Sequence, residues 1–122
     1  MDESFKQRLK ECGADVETTV NRFMGNEAMY EKFLKKFTDN SNYSGLEESI
    51  REENYEEMFK YAHTLKGVSA NLGLDPIYKA ASDLTEEIRG KQAEEVDKGR
   101  VQDIWQELQR VYKTFEDLLG TL

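Results

Sequence analysis

One cysteine, one histidine and one proline in 122 residues remove a good deal of chemistry. Cys12 has no second thiol in the chain, which excludes an internal disulfide and a cysteine-built zinc cage; it reads as a small apolar side chain near a helix end. A lone histidine excludes paired-histidine metal sites, and the carboxylates recur at helical spacing rather than in a calcium-loop pattern, so no metal site is expected. Any acid-base or nucleophilic chemistry near neutral pH has His63 as its first suspect. Positive charge is also scarce: 17 Lys and Arg stand against 25 Asp and Glu, a net charge of −8. Without a basic run, such a chain neither neutralises nucleic-acid phosphates nor is drawn to an anionic membrane face, and neither partner is expected. No apolar stretch approaches the roughly 20 residues that span a bilayer, and Met1 to Lys10 is charged throughout, unlike a secretory leader. The cytoplasm is the expected address.

What is present is one domain's worth of helix. With 38% apolar and 11% aromatic residues, residues 1–122 support a single core. Phe5, Leu9 and Cys12 repeat at helical spacing up to Gly13, and Asp15 caps a second short segment carrying Val16, Val20 and Phe23 up to Gly25. Asn26 caps a third helix, whose wide stripe is Met29, Tyr30, Phe33, Leu34 and Phe37, followed by a turn-rich run from Thr38 to Asn42. Leu46, Ser49 and Ile50 predict only a short helical turn. Asn54 to Glu57 reads as a capping box opening a long helix with the stripe Tyr55, Met58, Phe59, Ala62, Leu65, Ser69 and Leu72. Asp75 is expected to cap the next helix, with Pro76 at its first position and Ile77, Ala80, Ala81, Leu84 and Ile88 inward. A last helix carries apolar residues from Val101 to Leu119. Nothing alternates with strand period. The fold class is therefore all-α: an antiparallel four-helix bundle with short additional N-terminal helices at one end.

At about 100° per residue, His63 falls roughly a third of a turn from the centre of its helix's stripe, at or near the surface. Its neighbours on that face are Phe59, Lys66, Gly67 and Ala70. Spacing alone supports an ordinary surface histidine and a chemically active one equally. Gly67 is less neutral, because a glycine inside a helix costs about 1 kcal/mol relative to alanine. It serves either close packing against another helix or clearance for something approaching the histidine, and its distance from the stripe favours clearance. Lys66 can be a solvated lysine at a stripe edge; beside His63 its ammonium can also stabilise a phosphoryl group carried on the ring.

The run His63-Thr64-Leu65-Lys66-Gly67-Val68-Ser69-Ala70-Asn71-Leu72-Gly73 resembles the signature of histidine-containing phosphotransfer (HPt) domains, with Leu two, Lys three and Gly four residues after the histidine and a Leu-Gly pair closing the helix. Arg22 to Asn26, followed by Tyr30 to Leu34, is similar to the N-terminal helices of stand-alone bacterial members. The resemblance covers nearly the whole chain, so a free-standing, monomeric carrier is expected, without a kinase or receiver domain of its own.

The resemblance implies a four-helix bundle, in agreement with the periodicity, and a mechanism. A receiver domain's phospho-aspartate, or a hybrid sensor histidine kinase, supplies a phosphoryl group to His63, which passes it to the aspartate of another receiver. Neutral imidazole is a competent nucleophile, and the receiver brings the acidic pocket and the Mg²⁺. The protein itself then needs no cofactor and is a phosphohistidine carrier rather than an enzyme. Lys66 and Gly67 belong to the site with His63. Phe59, Ala70, Thr85 and Arg89 are the further candidates for contact with a docking receiver. Family members often carry a ring-steadying polar residue where Thr85 stands, commonly glutamine, and a basic residue where Arg89 stands; Thr85 departs from that pattern, and a plain solvent-facing threonine is the other reading. The competing function is a helical adaptor that docks on receivers without being phosphorylated, a role for which His63, Lys66 and Gly67 together are unnecessary. An independent hydrolase lacks a nucleophile or metal-ligand cluster.

Overall fold

The computed structural model describes residues 1–39 and 42–122. Helices α1 (Glu3–Glu11), α2 (Val16–Arg22), α3 (Glu27–Phe37), α4 (Asn42–Arg51), α5 (Tyr55–Asn71), α6 (Asp75–Ile88) and α7 (Lys98–Leu119) follow one another, with one 3₁₀ turn at Ala93–Glu95 before the last. The Asn40-Ser41 part of the expected turn lies outside the described residues.

Side-chain caps set most of the helix starts. Asp15, Asn26, Asn54 and Asp97 each accept a hydrogen bond from the backbone N–H three residues on, satisfying a donor that the first turn leaves free. The expected capping box at Asn54 forms only in its forward half, because the Asn54 N–H donates to the Ser49 carbonyl at 2.9 Å. Asp75 is not a cap. The helix begins one residue earlier than the sequence suggests, with Leu74 at the cap position and no side-chain cap bond. The chain is held there by backbone instead: Leu74 N–H donates to Ser69 O at 3.0 Å and Asp15 N–H to Gly73 O at 2.9 Å. Gly73 is obligatory at this corner, since its φ is +69° and an added Cβ would collide with Thr19 and the Asp15 carbonyl.

The bundle proper is α4 to α7. α5 packs between α4 and α6, and α6 against α7. The three-residue connections on either side of α5 make both its neighbours antiparallel to it. The N-terminal part of α6 lies beside Arg110 and Val111, whereas Glu87, near its other end, lies 3.9 Å from Arg100, so α7 runs antiparallel to α6. Tyr43 at the start of α4 stacks on Tyr112, centroids 3.8 Å apart, and on Trp105 at 5.5 Å. Lys98 and Glu53 pair at 2.9 Å at the other end and close the ring of helices.

The short turn expected around Leu46 to Ile50 is thus a helix of 10 residues and a bundle member. Gly45 explains how it packs: a Cβ there would sit 2.6 Å from the Tyr61 ring, so glycine lets α4 approach α5. α3 joins the same core from a different place. Its Phe37 ring meets Tyr112 at 5.6 Å, and its buried Tyr30 hydroxyl donates to the Leu72 carbonyl at 2.8 Å. The core stripe of α5 is Met58, Ala62, Leu65, Ser69 and Leu72, all buried, with Tyr55 and Phe59 only half-buried at its edge. Ser69 is tolerated there because its hydroxyl donates to the Leu65 carbonyl at 2.7 Å. Cys12 is half-buried at the end of α1, and burial raises its thiol pKa, which keeps it protonated. Among the described residues no helix is long and apolar enough to cross a membrane.

Candidate functional site

With the α5 stripe turned inward, His63 is exposed on the surface of the helix. The imidazole has no hydrogen bond to any described residue. Its one ring neighbour is Phe59, a helical turn earlier, which lies parallel to it within 4° at a centroid distance of 6.0 Å. The Arg89 guanidinium, from the end of α6, stands 5.1 Å from the Phe59 centroid and is held by Glu86 at 3.0 Å. Phe59 and Arg89 are therefore brought together beside His63 by the α5–α6 contact.

Lys66 is half-buried and makes no ion pair with a described carboxylate. It shares that with Arg22 and Lys36, whereas Lys6, Lys79, Lys98, Arg110 and Lys113 are all paired. Gly67 is exposed, and a Cβ built on it meets nothing within 4 Å. Packing is thereby excluded as its reason, in contrast to Gly45. Ala70 is half-buried at the far end of the face, where its carbonyl accepts a hydrogen bond from Arg22 Nη2 at 3.1 Å.

Thr85 is a correction. It is fully buried, and its hydroxyl donates to the Ala81 carbonyl at 2.7 Å. It neither faces solvent nor offers its hydroxyl proton to the His63 ring, and no docking partner can touch it. The buried hydroxyl is satisfied by bonding back one turn along its own helix.

The stripe of α3 holds what sequence reading missed. Only Tyr30, Leu34 and Phe37 are buried; Met29 and Phe33 are 46% and 42% exposed. With Phe23, Val68 and Asn71, Phe33 lines an open groove of about 450 Å³ whose rim carries Arg22 and Lys36. Neither cation has an ion-pair partner among the described residues. His63, Gly67 and Asn71 lie at i, i+4 and i+8, so one row of the α5 surface leads from the imidazole past bare backbone to this groove, a rise of about 12 Å. The excess width of the α3 stripe was the available signal. Five large apolar or aromatic side chains in a helix of 11 are more than one buried face needs.

The arrangement suits attack by an exposed, unengaged imidazole on an electrophile delivered from outside, with a free ammonium one turn away to offset negative charge. Among the described residues no set of His, Cys, Asp and Glu side chains converges as a metal site. The family model for the Hpt domain matches residues 5–119, and the chain belongs to that family, whose members act in histidine phosphotransfer with the receiver domains and histidine kinases of two-component systems. No curated protein and no solved structure matches it.

Proposed function

We propose that His63 accepts a phosphoryl group from the aspartyl phosphate of one receiver domain and delivers it to the aspartate of another, making the protein a monomeric relay carrier of the cytoplasm. An imidazole nitrogen attacks phosphorus as the bond to the aspartate oxygen breaks; the P–N bond forms and the aspartate leaves as carboxylate. The second transfer is the same displacement in reverse. The observation that carries the reading is the open space over Gly67 beside an exposed, unbonded His63, because in-line transfer needs room for a second protein's carboxylate on the axis through phosphorus. Lys66 supports it as an unpaired cation placed to offset phosphoryl charge. The Mg²⁺ of the reaction belongs to the receiver.

The receiver docks over the row from Phe59 and Arg89 through Gly67 and Ala70 to the groove between α2, α3 and α5. A standard interface takes about 800 Å² of each partner, a patch wide enough to include both His63 and the groove about 12 Å away. Arg22, Lys36 and Lys66 have no carboxylate partner among the described residues, on a chain of net charge −8, which suits an acidic partner surface. The test is transfer of label from a phosphorylated receiver. We expect an acid-labile, alkali-stable product, abolished in His63→Gln with the fold intact. Label retained in that variant overturns the reading, and receiver binding with no label in the wild type means a docking adaptor instead.

A further inference from the structure

An exposed imidazole on a helix turns freely about χ1 and χ2, yet transfer requires its nitrogen to be aimed along the line through phosphorus. The hydroxyl best placed in sequence to steady it, on Thr85, is buried and donates to Ala81. No other described polar group bonds to the ring. What does meet it is Phe59, whose plane lies within 4° of the imidazole plane at 6.0 Å, inside the range of offset aromatic stacking.

Phe59 is itself held. It packs against the core from the edge of the α5 stripe, and Arg89 sits 5.1 Å from its centroid, within cation–π range. Arg89 is in turn fastened to Glu86. The order Glu86, Arg89, Phe59, His63 thus runs across the α5–α6 seam and transmits the rigidity of two packed helices to one exposed ring. We infer that Phe59 is a positioning residue that orients the His63 imidazole by stacking in place of a hydrogen bond; the inference rests on the reading of His63 as phospho-acceptor. Stacking has a chemical consequence. It fixes the plane of the ring while leaving both nitrogens at its edge, so no lone pair is consumed by a hydrogen bond and neither tautomer is selected.

Three variants in the full chain test this. Phe59→Leu keeps apolar bulk and loses the ring face, Phe59→Tyr keeps the face, and Phe59→Ala loses both. With a receiver phosphorylated by acetyl phosphate as donor, Phe59→Leu is expected to lower the maximal transfer rate about three- to tenfold, the worth of one aromatic pair, a larger effect than on receiver affinity, since leucine keeps the apolar contact in the docking surface. Phe59→Tyr is expected to restore the rate. In the unphosphorylated protein, the three-bond couplings that define χ1 of His63 and the ring-current shifts of its carbon-bound protons are expected to report one dominant rotamer in the wild type and in Phe59→Tyr, averaged in Phe59→Leu. Weakened affinity at an unchanged maximal rate leaves Phe59 as a docking contact alone and overturns the inference, as does a His63 side chain already averaged in the wild type. If the wild type takes no label, the acceptor reading falls on its own, and the couplings still decide whether Phe59 orients the ring.

Discussion

Gly67 and Gly45 stand on opposite faces of the same argument, and replacing each by glutamine separates clearance from packing. At Gly67 a Cβ meets nothing within 4 Å, so the substitution adds no clash and removes the entropic cost of a mid-helix glycine, a gain of about 0.5–1 kcal/mol. For a chain of this size that raises the melting temperature by about 2–6 °C. The same side chain reaches into the space one turn, about 6 Å of rise, from His63. A displacement of about 1 Å in an in-line geometry costs on the order of 10²-fold in rate, so transfer between receiver and His63 is expected to slow at least that much. Gly67→Ala falls between, with the stability gain and a smaller kinetic loss. At Gly45 the order reverses: a Cβ would lie 2.6 Å from the Tyr61 ring, and overpacking there costs about 1–3 kcal/mol, while the folded fraction should transfer normally. Thermal unfolding by circular dichroism and rapid-quench transfer from one phosphorylated receiver read both quantities. A Gly67→Gln protein that melts lower than the wild type, or that transfers at the wild-type rate, refutes the clearance argument.

Lys66→Ala is expected to lower the equilibrium fraction of phosphorylated His63 about two- to fivefold, the worth of a partly exposed charge pair, and Lys66→Arg to keep most of it; added salt should narrow the gap, and equal phosphorylation at low salt removes the electrostatic role. Phe33→Ser in the groove should leave melting nearly unchanged, because the side chain is 42% exposed, while weakening receiver affinity measured by titration calorimetry; unchanged affinity takes the groove out of the interface. Burial raises the phenol pKa of Tyr30 well above its usual value and those of Tyr43 and Tyr112 to about 12. The folded state therefore holds these protons after the unfolded chain begins to lose its own near pH 10, so their contribution to stability is fully present below about pH 10 and is lost as pH rises toward 12. Tyrosinate absorbance and helical ellipticity should change together, and titration of all six tyrosines with the helices intact contradicts the burial.

Local signals were enough for much of this protein. Asp15, Asn26 and Asn54 cap where their side chains suggest, because a cap is a contact three residues long. The face of α5 that carries His63 and Gly67 follows from the 3.6-residue period, because the apolar stripe decides which side turns inward. Lys66 and Gly67 stand beside the histidine for the same reason. Periodicity tells which face is apolar; how far a neighbouring helix covers it depends on residues distant in the chain. So Met29 and Phe33 looked like the rest of the α3 stripe, yet both stay nearly half exposed, and Phe33 lines a groove. Thr85 looked exposed or ring-facing and is buried, because α6 is crowded on both sides by α5 and α7. The stretch from Asn42 to Arg51 has a modest apolar pattern and becomes a bundle helix through Tyr43 on Tyr112 and Gly45 against Tyr61. Arg89 reached the His63 neighbourhood in the same way, across 26 residues of sequence, by the packing of α6 on α5 that sets its guanidinium over Phe59. Those contacts exist only once the helices are assembled, since burial belongs to pairs of surfaces and a sequence presents one surface at a time.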